Sequence, residues 1–326
     1  MIEILSSTAL ATVQDAGRLG SLRFGVGAAG AMDQLALAVG NLLLGNPAGA
    51  AALEIPVYPF QVRFTEDCAF ALTGADCQAR LDQRSLAPWW GHQARQGQVL
   101  TLGLPLVGSG SRAYLALAGG IDVPEVLASR STQLRGAFGG LNGRSVRQGD
   151  VLRAARPGGE PAVDFGVVPP AIALPLMRDG LPAVRVLPAA EYACFKEDSR
   201  AAFWAGAWKI TAQSDRYGYR MQGTPLVPIE AMEIRSHGIV PGVIQVPSGG
   251  QPIVQMRDAQ PSGGYPKFGT VIEADLWRLG QAAIGSRVRF VEVDYEAAVV
   301  ALDEVEVWLD EVGRMIDLQR WALQRN

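Results

Sequence analysis

"RQGQVLTL" (residues 95 to 102) turns on a glycine and runs on into a short apolar stretch, and the phrase returns in varied form as "RQGDVLRA" (147 to 154) and "AIGSRVRF" (283 to 290). A glycine turn feeding a short strand reads as a hairpin exit in a barrel or sandwich. Longer strand-like runs with the same glycine punctuation, "AFALTGADCQARLDQ", "RAYLALAGGIDV", "GVIQVPSGGQPIVQM" and "SRVRFVEVDY", dominate the chain. The expected fold class is therefore mainly β with a few helices.

A second echo pairs "TVQDAGRLG" (12 to 20) with "TAQSDRYG" (211 to 218), which align on Thr, Gln, Arg and Gly when one residue is skipped. Such self-similarity suggests two related halves. Between them, "ARPGGEPAVDFGVVPPAIALPLMRDGLP" carries six prolines, a composition that resists regular structure and suits an extended linker. The division expected is an N-terminal domain over 1–155, a linker over 156–182 and a C-terminal domain over 183–326.

Helical signals are few. "AMDQLALAVGNLLLG" (31 to 45) has apolar 3.6-residue periodicity and a closing glycine, with Asp33 placed to cap its start. After Asp294, a candidate N-cap, the same period runs through Val299, Leu302, Val305, Trp308, Leu309 and Val312. This tail is expected to pack on its own, C-terminal domain.

With 326 residues, 48% of them hydrophobic, the chain has ample material for a buried core. A net charge of -3 without a Lys/Arg run gives no electrostatic footprint for nucleic acid. The start "MIEILSSTALATVQDAG" lacks the charge and apolar region of a signal peptide, and no stretch of about 18 uninterrupted apolar residues occurs. A cytoplasmic protein that neither spans a membrane nor binds nucleic acid is expected.

Cys68, Cys77 and Cys194 form no CxxC pair, so they read as buried, small and apolar rather than as disulfides or zinc ligands. His92 and His237 stand far apart with no carboxylate at ligand spacing, so no metal site is expected. His92, beside "PWWGHQ", is expected against aromatics; His237, in "RSHG", is the better candidate for a titrating group. Of 29 basic residues only Lys196, Lys209 and Lys267 are lysines, and none completes a P-loop or sits between methionines as a biotin-carrying lysine does.

What remains for chemistry is carboxylate, arginine, tyrosine, glutamine and backbone amide, a set suited to gripping an amide or a carboxylate. "RDAQPSGGYPKFG" (257 to 269) offers Asp258, Gly263, Gly264 and Tyr265, and its glycines let a ligand approach the backbone. A tight turn between strands explains the same residues. "SDRYGYRMQG" adds Arg216 and Arg220, read either as substrate contacts or as surface partners of Asp215 and other acids. Gln245, flanked by apolar strand residues, is either a satisfied core group or a substrate contact. In the first half, Gln14, Asp15 and Arg18 share a glycine-punctuated loop.

"TVQDAGRLG", "GAMDQLAL", "LTGAD", "YLALAGGIDVP", "SRST", "GGLNGRSVRQGD", "SDRYGYRMQG", "GVIQVPSGGQPIV" and "SGGYP" follow one another in an order that resembles the biotin-dependent carboxyltransferase or allophanate hydrolase subunit 2 family. The resemblance spans roughly residues 3 to 295. It implies two cyclophilin-like β-barrel domains, in a family that includes the C component of 5-oxoprolinase, an antagonist of a sporulation kinase inhibitor and half of the carboxyltransferase region of urea carboxylase.

The activity it implies is ATP-dependent opening of 5-oxoproline to glutamate with separate A and B components, the B type belonging to the allophanate hydrolase subunit 1 family. ATP with Mg is then expected at or with a partner subunit. The alternatives are a carboxyltransferase half, with biotin on another chain, and a non-enzymatic regulator. Asp258, Arg220 and Tyr265 are the expected catalytic groups. Gln245, Gly263, Gly264, Arg216, Gln14, Asp15 and Arg18 are the expected substrate contacts. The family commonly carries a threonine where this chain has Pro261, a change that removes a hydroxyl and a backbone N–H from the loop.

Overall fold

A computed structural model describes residues 1–7, 10–155, 164–232 and 234–323. It is mainly β and divides into two compact units. One comprises Met1–Arg18, Ala29–Ala173 and the chain from Val307 onward; the other comprises Leu19–Ala28 and Leu174–Glu306.

In the first unit, a six-stranded sheet runs in the order Val151–Leu152, Ile2–Ser6, Phe60–Phe64, Val99–Leu102, Arg80–Leu81 and Arg84–Ser85. A five-stranded sheet runs Thr12–Gln14, Ala52–Ile55, Ala113–Leu117, Cys68–Gly74 and Trp90–Ala94. Both turn apolar side chains into one core, Ile2, Ile4, Val62 and Phe64 from the first and Leu53, Phe70, Leu72 and Leu115 from the second.

The second unit is a closed barrel. Leu181–Pro188, Lys267–Val271, Val243–Gln245, Ile253–Gln255, Gly218–Gln222, Ala207–Ile210 and Arg287–Glu292 pair in turn, and the last strand returns to the first in parallel register. Closure leaves these seven strands without an open edge.

The repeated glycine phrase performs the same task in both units. Gly97, Gly149 and Gly285 take φ of +87°, +86° and +88°, a region open to glycine at little cost. Each donates its N–H to a neighbouring chain segment: Gly97 to Phe64 O at 2.7 Å, Gly149 to Ile4 O at 2.8 Å and Gly285 to Ile210 O at 2.8 Å.

The first helix covers Gln34–Leu42, and the Asp33 side chain caps it by accepting from the Ala36 N–H at 2.9 Å. The last helix covers Tyr295–Leu323, with Asp294 accepting from the Ala297 N–H at 2.8 Å. Its destination differs from the sequence expectation. From Val307 onward it belongs to the first unit, where Trp308, Leu309, Val312 and Ile316 pack with Ala36, Leu37, Val39, Ala71 and Tyr114. Helical periodicity selects the buried face, whereas the surface that receives it depends on the fold.

Two further differences concern the linker and the cysteines. Residues 156–163 of the proline-rich stretch lie outside the described residues, but beyond them Pro170–Ala173 is helical and Met177–Arg178 pairs with Leu181 and Pro182. Cys68 and Cys77 are buried as expected, while Cys194 is exposed.

Candidate functional site

Three strand pairings in the barrel set four residues in one row. Arg220 stands opposite Ile253, Ile253 opposite Gln245, and Gln245 opposite Lys267. Residues directly opposite share a face, and neighbouring strands lie about 4.8 Å apart. Tyr219, Met221, Ile244 and Val254 alternate onto the other face and are fully buried. A shift of register at Ile244/Gln245 brings Lys267 into the row. The row passes from exposed Arg220, through half-buried Ile253, to buried Gln245 and half-buried Lys267. No ion pair to Arg220 or Lys267 is found among the described residues.

Part of the row is covered by a short ladder in which His237 pairs with Gly263 and Gly238 with Ser262. The ladder continues through Ile239, whose N–H donates to the Pro261 carbonyl at 3.0 Å. Gly263 lies against Gln245: a Cβ added there would stand 2.6 Å from Gln245 Nε2 and 3.2 Å from Ile239 Cδ1. Gly264 faces other backbone, since a Cβ there would stand 2.7 Å from the Ile234 carbonyl oxygen. Both glycines thus admit close packing that a side chain would block, Gly263 against the Gln245 amide and Gly264 against backbone.

Gln245 is 2% exposed. Its Oε1 accepts from Gln255 Nε2 at 3.1 Å, and its own Nε2 is buried without a hydrogen-bond partner. His237 is in a similar position. Nδ1 lies 2.9 Å from the Arg235 carbonyl oxygen, and Nε2 is buried without a partner. Most buried polar groups are paired; other unpaired ones occur, Gln14 Oε1 and Trp277 Nε1 among them, but Gln245 and His237 are connected through Gly263, which lies against the one and pairs with the other.

Asp258 and Arg216 make a bidentate pair with Nε–Oδ2 and Nη2–Oδ1 distances of 2.9 Å, both side chains being buried. Asp215, a partner for Arg216 in one of the two readings of the sequence, instead caps the turn by accepting from the N–H groups of Tyr217 at 2.8 Å and Gly218 at 3.2 Å. Near this pair lies chain from the first half of the sequence: a Cβ on Gly27 would stand 2.8 Å from the Ala259 carbonyl oxygen. Tyr265 is about half exposed.

The predicted site residues of the first half form a cluster in the first unit, bonded largely to one another, although Gln14 Oε1 is buried without a partner. The Asp15 carboxylate accepts from the Gly17 N–H at 2.8 Å, the Ser129 hydroxyl at 2.7 Å, the Ser131 hydroxyl and the Arg130 N–H. Arg18, fully buried, donates through Nε to Val126 O at 3.1 Å and through Nη2 to Ser131 O, with its guanidinium 4.8 Å from the Phe138 ring centroid. Gln14 donates to Thr12 Oγ1 at 3.0 Å and Thr132 O at 3.2 Å. "TVQDAGRLG", "SRST" and "GGLNG" are thereby tied together, a Cβ on Gly139 meeting both Ser131 O and Arg18 Nη2.

Other motifs are likewise absorbed by the framework. Tyr114 donates to Glu54 at 2.7 Å and accepts from the Asp33 N–H at 2.8 Å; burial, and then the neighbouring Glu54 carboxylate, push its phenol well above the ordinary tyrosine range. Asn46 donates to the Leu117 carbonyl and accepts from the Gly119 N–H, locking the turn after the first helix to "YLALAGG". His92 lies 5.3 Å from Phe70 by ring centroids, and burial lowers its pKa.

Sequence reasoning assigned no role to Lys267 and named His237 only as the better candidate for a titrating group. Lys267 begins the strand Lys267–Val271, and only the register shift puts it beside Gln245. Among the described residues no helix is long and apolar enough to cross a membrane, and no group of three or more His, Cys, Asp or Glu is placed to hold a metal.

The family model described as "Carboxyltransferase domain, subdomain A and B" matches residues 24–292. The chain is 42% identical over 313 residues to the C component of 5-oxoprolinase from Escherichia coli, covering 96% of this chain and 98% of that one. To the Haemophilus influenzae protein of the same name it is 40% identical over 317 residues, covering 97% and 99%. Among solved structures, the K. lactis urea amidolyase superposes with a TM-score of 0.87 at 28% identity, over 95% of this chain and 20% of that larger one.

Proposed function

The chain belongs to the carboxyltransferase family of subdomains A and B, and from that membership we propose that it is the C component of a 5-oxoprolinase. In this reading it takes part in the ATP-dependent opening of the 5-oxoproline lactam to L-glutamate, and it works as one member of a hydrolase complex with A-type and B-type partners. The observation that carries the proposal is identity of 40–42% along essentially the whole length of two proteins of that name. ATP with Mg belongs at or with a partner subunit, since the chain has no P-loop sequence to hold it. The barrel row supplies what an anionic lactam needs. Gln245 meets the amide, and Arg220 and Lys267 offer cationic groups for the carboxylate.

A second reading, the carboxyltransferase half of a urea-type carboxylase with biotin on another chain, is supported by the superposition on urea amidolyase, at lower identity. The test is to co-express the chain with A-type and B-type proteins and to follow ATP-dependent glutamate formation from 5-oxoproline. Glutamate should form only when all three are present. Turnover by the isolated chain, or by the A-type and B-type proteins without it, would count against the proposal, and carboxylation of urea by the chain with a biotin carboxylase would transfer it to the second reading.

A further inference from the structure

Gln245 and His237 each carry an unused polar group. Gln255 Nε2 donates to Gln245 Oε1 at 3.1 Å, so the Gln245 amide is oriented with its Nε2–H groups toward Gly263 and unused. At His237 a carbonyl oxygen, which can only accept, lies 2.9 Å from Nδ1. Nδ1 therefore carries a proton, and in the Nδ1–H tautomer Nε2 is an unused acceptor. One donor and one acceptor await a ligand.

The backbone brings them together. His237 and Gly263 are direct antiparallel partners, so their Cβ directions share a face and lie about 4.5–5.5 Å apart. The Cβ direction of Gly263 points at Gln245 Nε2, 2.6 Å away, and Ile239, two residues after His237, reaches the same point. The imidazole thus leaves the ladder on the side turned toward Gln245. Neither nitrogen is reached by solvent, and the ladder over them is short, two residue pairs extended by the Ile239 N–H to Pro261 carbonyl bond, so few bonds need part on ligand entry.

We infer that Gln245 and His237 together read the edge of a cyclic cis amide, with the ligand C=O accepting from Gln245 Nε2–H and the adjacent ligand N–H donating to His237 Nε2. A carboxylate offers acceptors alone and an ammonium donors alone, so neither satisfies both groups. A lactam ring does, and so does a ureido ring. The choice of 5-oxoproline as the lactam rests on the function proposed above; the amide-edge pairing does not.

The test measures ligand binding by calorimetry and saturation-transfer NMR on the full chain, alone and assembled with its A-type and B-type partners. The probes are 5-oxoproline, its N-methyl derivative, proline and biotin. Binding of 5-oxoproline should weaken at least about tenfold on N-methylation, which removes the donor, and in proline, which lacks the carbonyl. Gln245→Met and His237→Phe should each weaken it as much, while His237→Gln, which retains a side-chain acceptor, should recover part of the loss. The ligand series decides the question even if a variant fails to fold.

Equal binding of 5-oxoproline and its N-methyl derivative, or no cyclic amide bound in either preparation, overturns the inference. So does wild-type KM for 5-oxoproline in complexes carrying folded Gln245→Met and His237→Phe; the proposed function would survive that result. Biotin bound in preference to 5-oxoproline, and lost in the same variants, sustains the amide-edge pairing and removes the 5-oxoprolinase reading.

Discussion

Arg216 grips Asp258 through two hydrogen bonds of 2.9 Å between buried side chains, and the Asp258 N–H donates to the Arg216 carbonyl at the same distance. A carboxylate held on both oxygens by a buried guanidinium is suited to fixing the turn after Ile253–Gln255. Breaking such a pair leaves a buried charge and costs about 3–5 kcal/mol. Asp258→Asn should therefore lower the stability of the isolated chain to urea by that order. A variant of unchanged stability that nonetheless abolishes turnover of the complex would assign Asp258 a catalytic role instead.

Gly263 and Gly264 separate by the same kind of experiment. A methyl at Gly264 would stand 2.7 Å from a backbone carbonyl, whereas one at Gly263 would meet mainly the end of the Gln245 side chain. Gly264→Ala should destabilise the chain by about 1–3 kcal/mol. Gly263→Ala should perturb stability less and turnover more, because the Gln245 amide is displaced. Thermal unfolding and steady-state rates on the pair check the ordering; the reverse order contradicts it.

Asp15 accepts from Gly17, Ser129, Arg130 and Ser131. Hydrogen bonds to a charged group contribute about 1.5–3 kcal/mol each, net of exchange with water. Asp15→Ala should cost at least about 3 kcal/mol in chemical denaturation. If the stability holds and only turnover falls, the residue belongs to a substrate site, as the sequence suggests.

Much of the fold is legible in local sequence, because caps and glycine turns are local devices. Asp33 and Asp294 cap the helices they precede, and Gly97, Gly149 and Gly285 enter strands with positive φ. Gln245 is readable as a buried amide needing partners. That its Nε2 lacks one is not, since this depends on Gly263 arriving 18 residues later across a ladder to His237. The echo of "TVQDAGRLG" in "TAQSDRYG" matches Arg18 with Arg216, and both are buried. One meets carbonyls and a ring, the other a carboxylate, a difference set by tertiary neighbours. The last helix shows its apolar face in sequence but not its destination, because periodicity is a property of one element and docking a property of two.

His92 makes stability depend on pH. Burial holds its pKa below the ordinary value, opposed by the Ala87 carbonyl, so between the folded and unfolded pKa values the unfolded chain binds the extra proton. Stability is then fully present above the unfolded pKa of about 6.5 and is lost as pH falls from there through the folded pKa. The melting temperature should decline from pH 7 to pH 5, and His92→Leu should flatten that decline. An equal slope in the variant would show that His92 does not carry it.

Arg220 tests the barrel row without disturbing the fold. Its side chain is exposed, its backbone N–H is held by Ser214 Oγ at 2.9 Å, and no ion pair to it is found among the described residues. Truncation should therefore alter stability by no more than about 0.5 kcal/mol. If the guanidinium holds the substrate carboxylate, its loss removes a charge-assisted contact of roughly 1.5–3 kcal/mol, which is a tenfold or larger drop in kcat/KM of the assembled complex. Arg220→Lys retains the charge but not the planar fork and should fall between the two. The discriminating measurement is kcat/KM for 5-oxoproline beside the melting temperature of each variant: equal rates in all three proteins would take the substrate off this end of the row, and a fall in rate matched by a fall in melting temperature would make Arg220 structural.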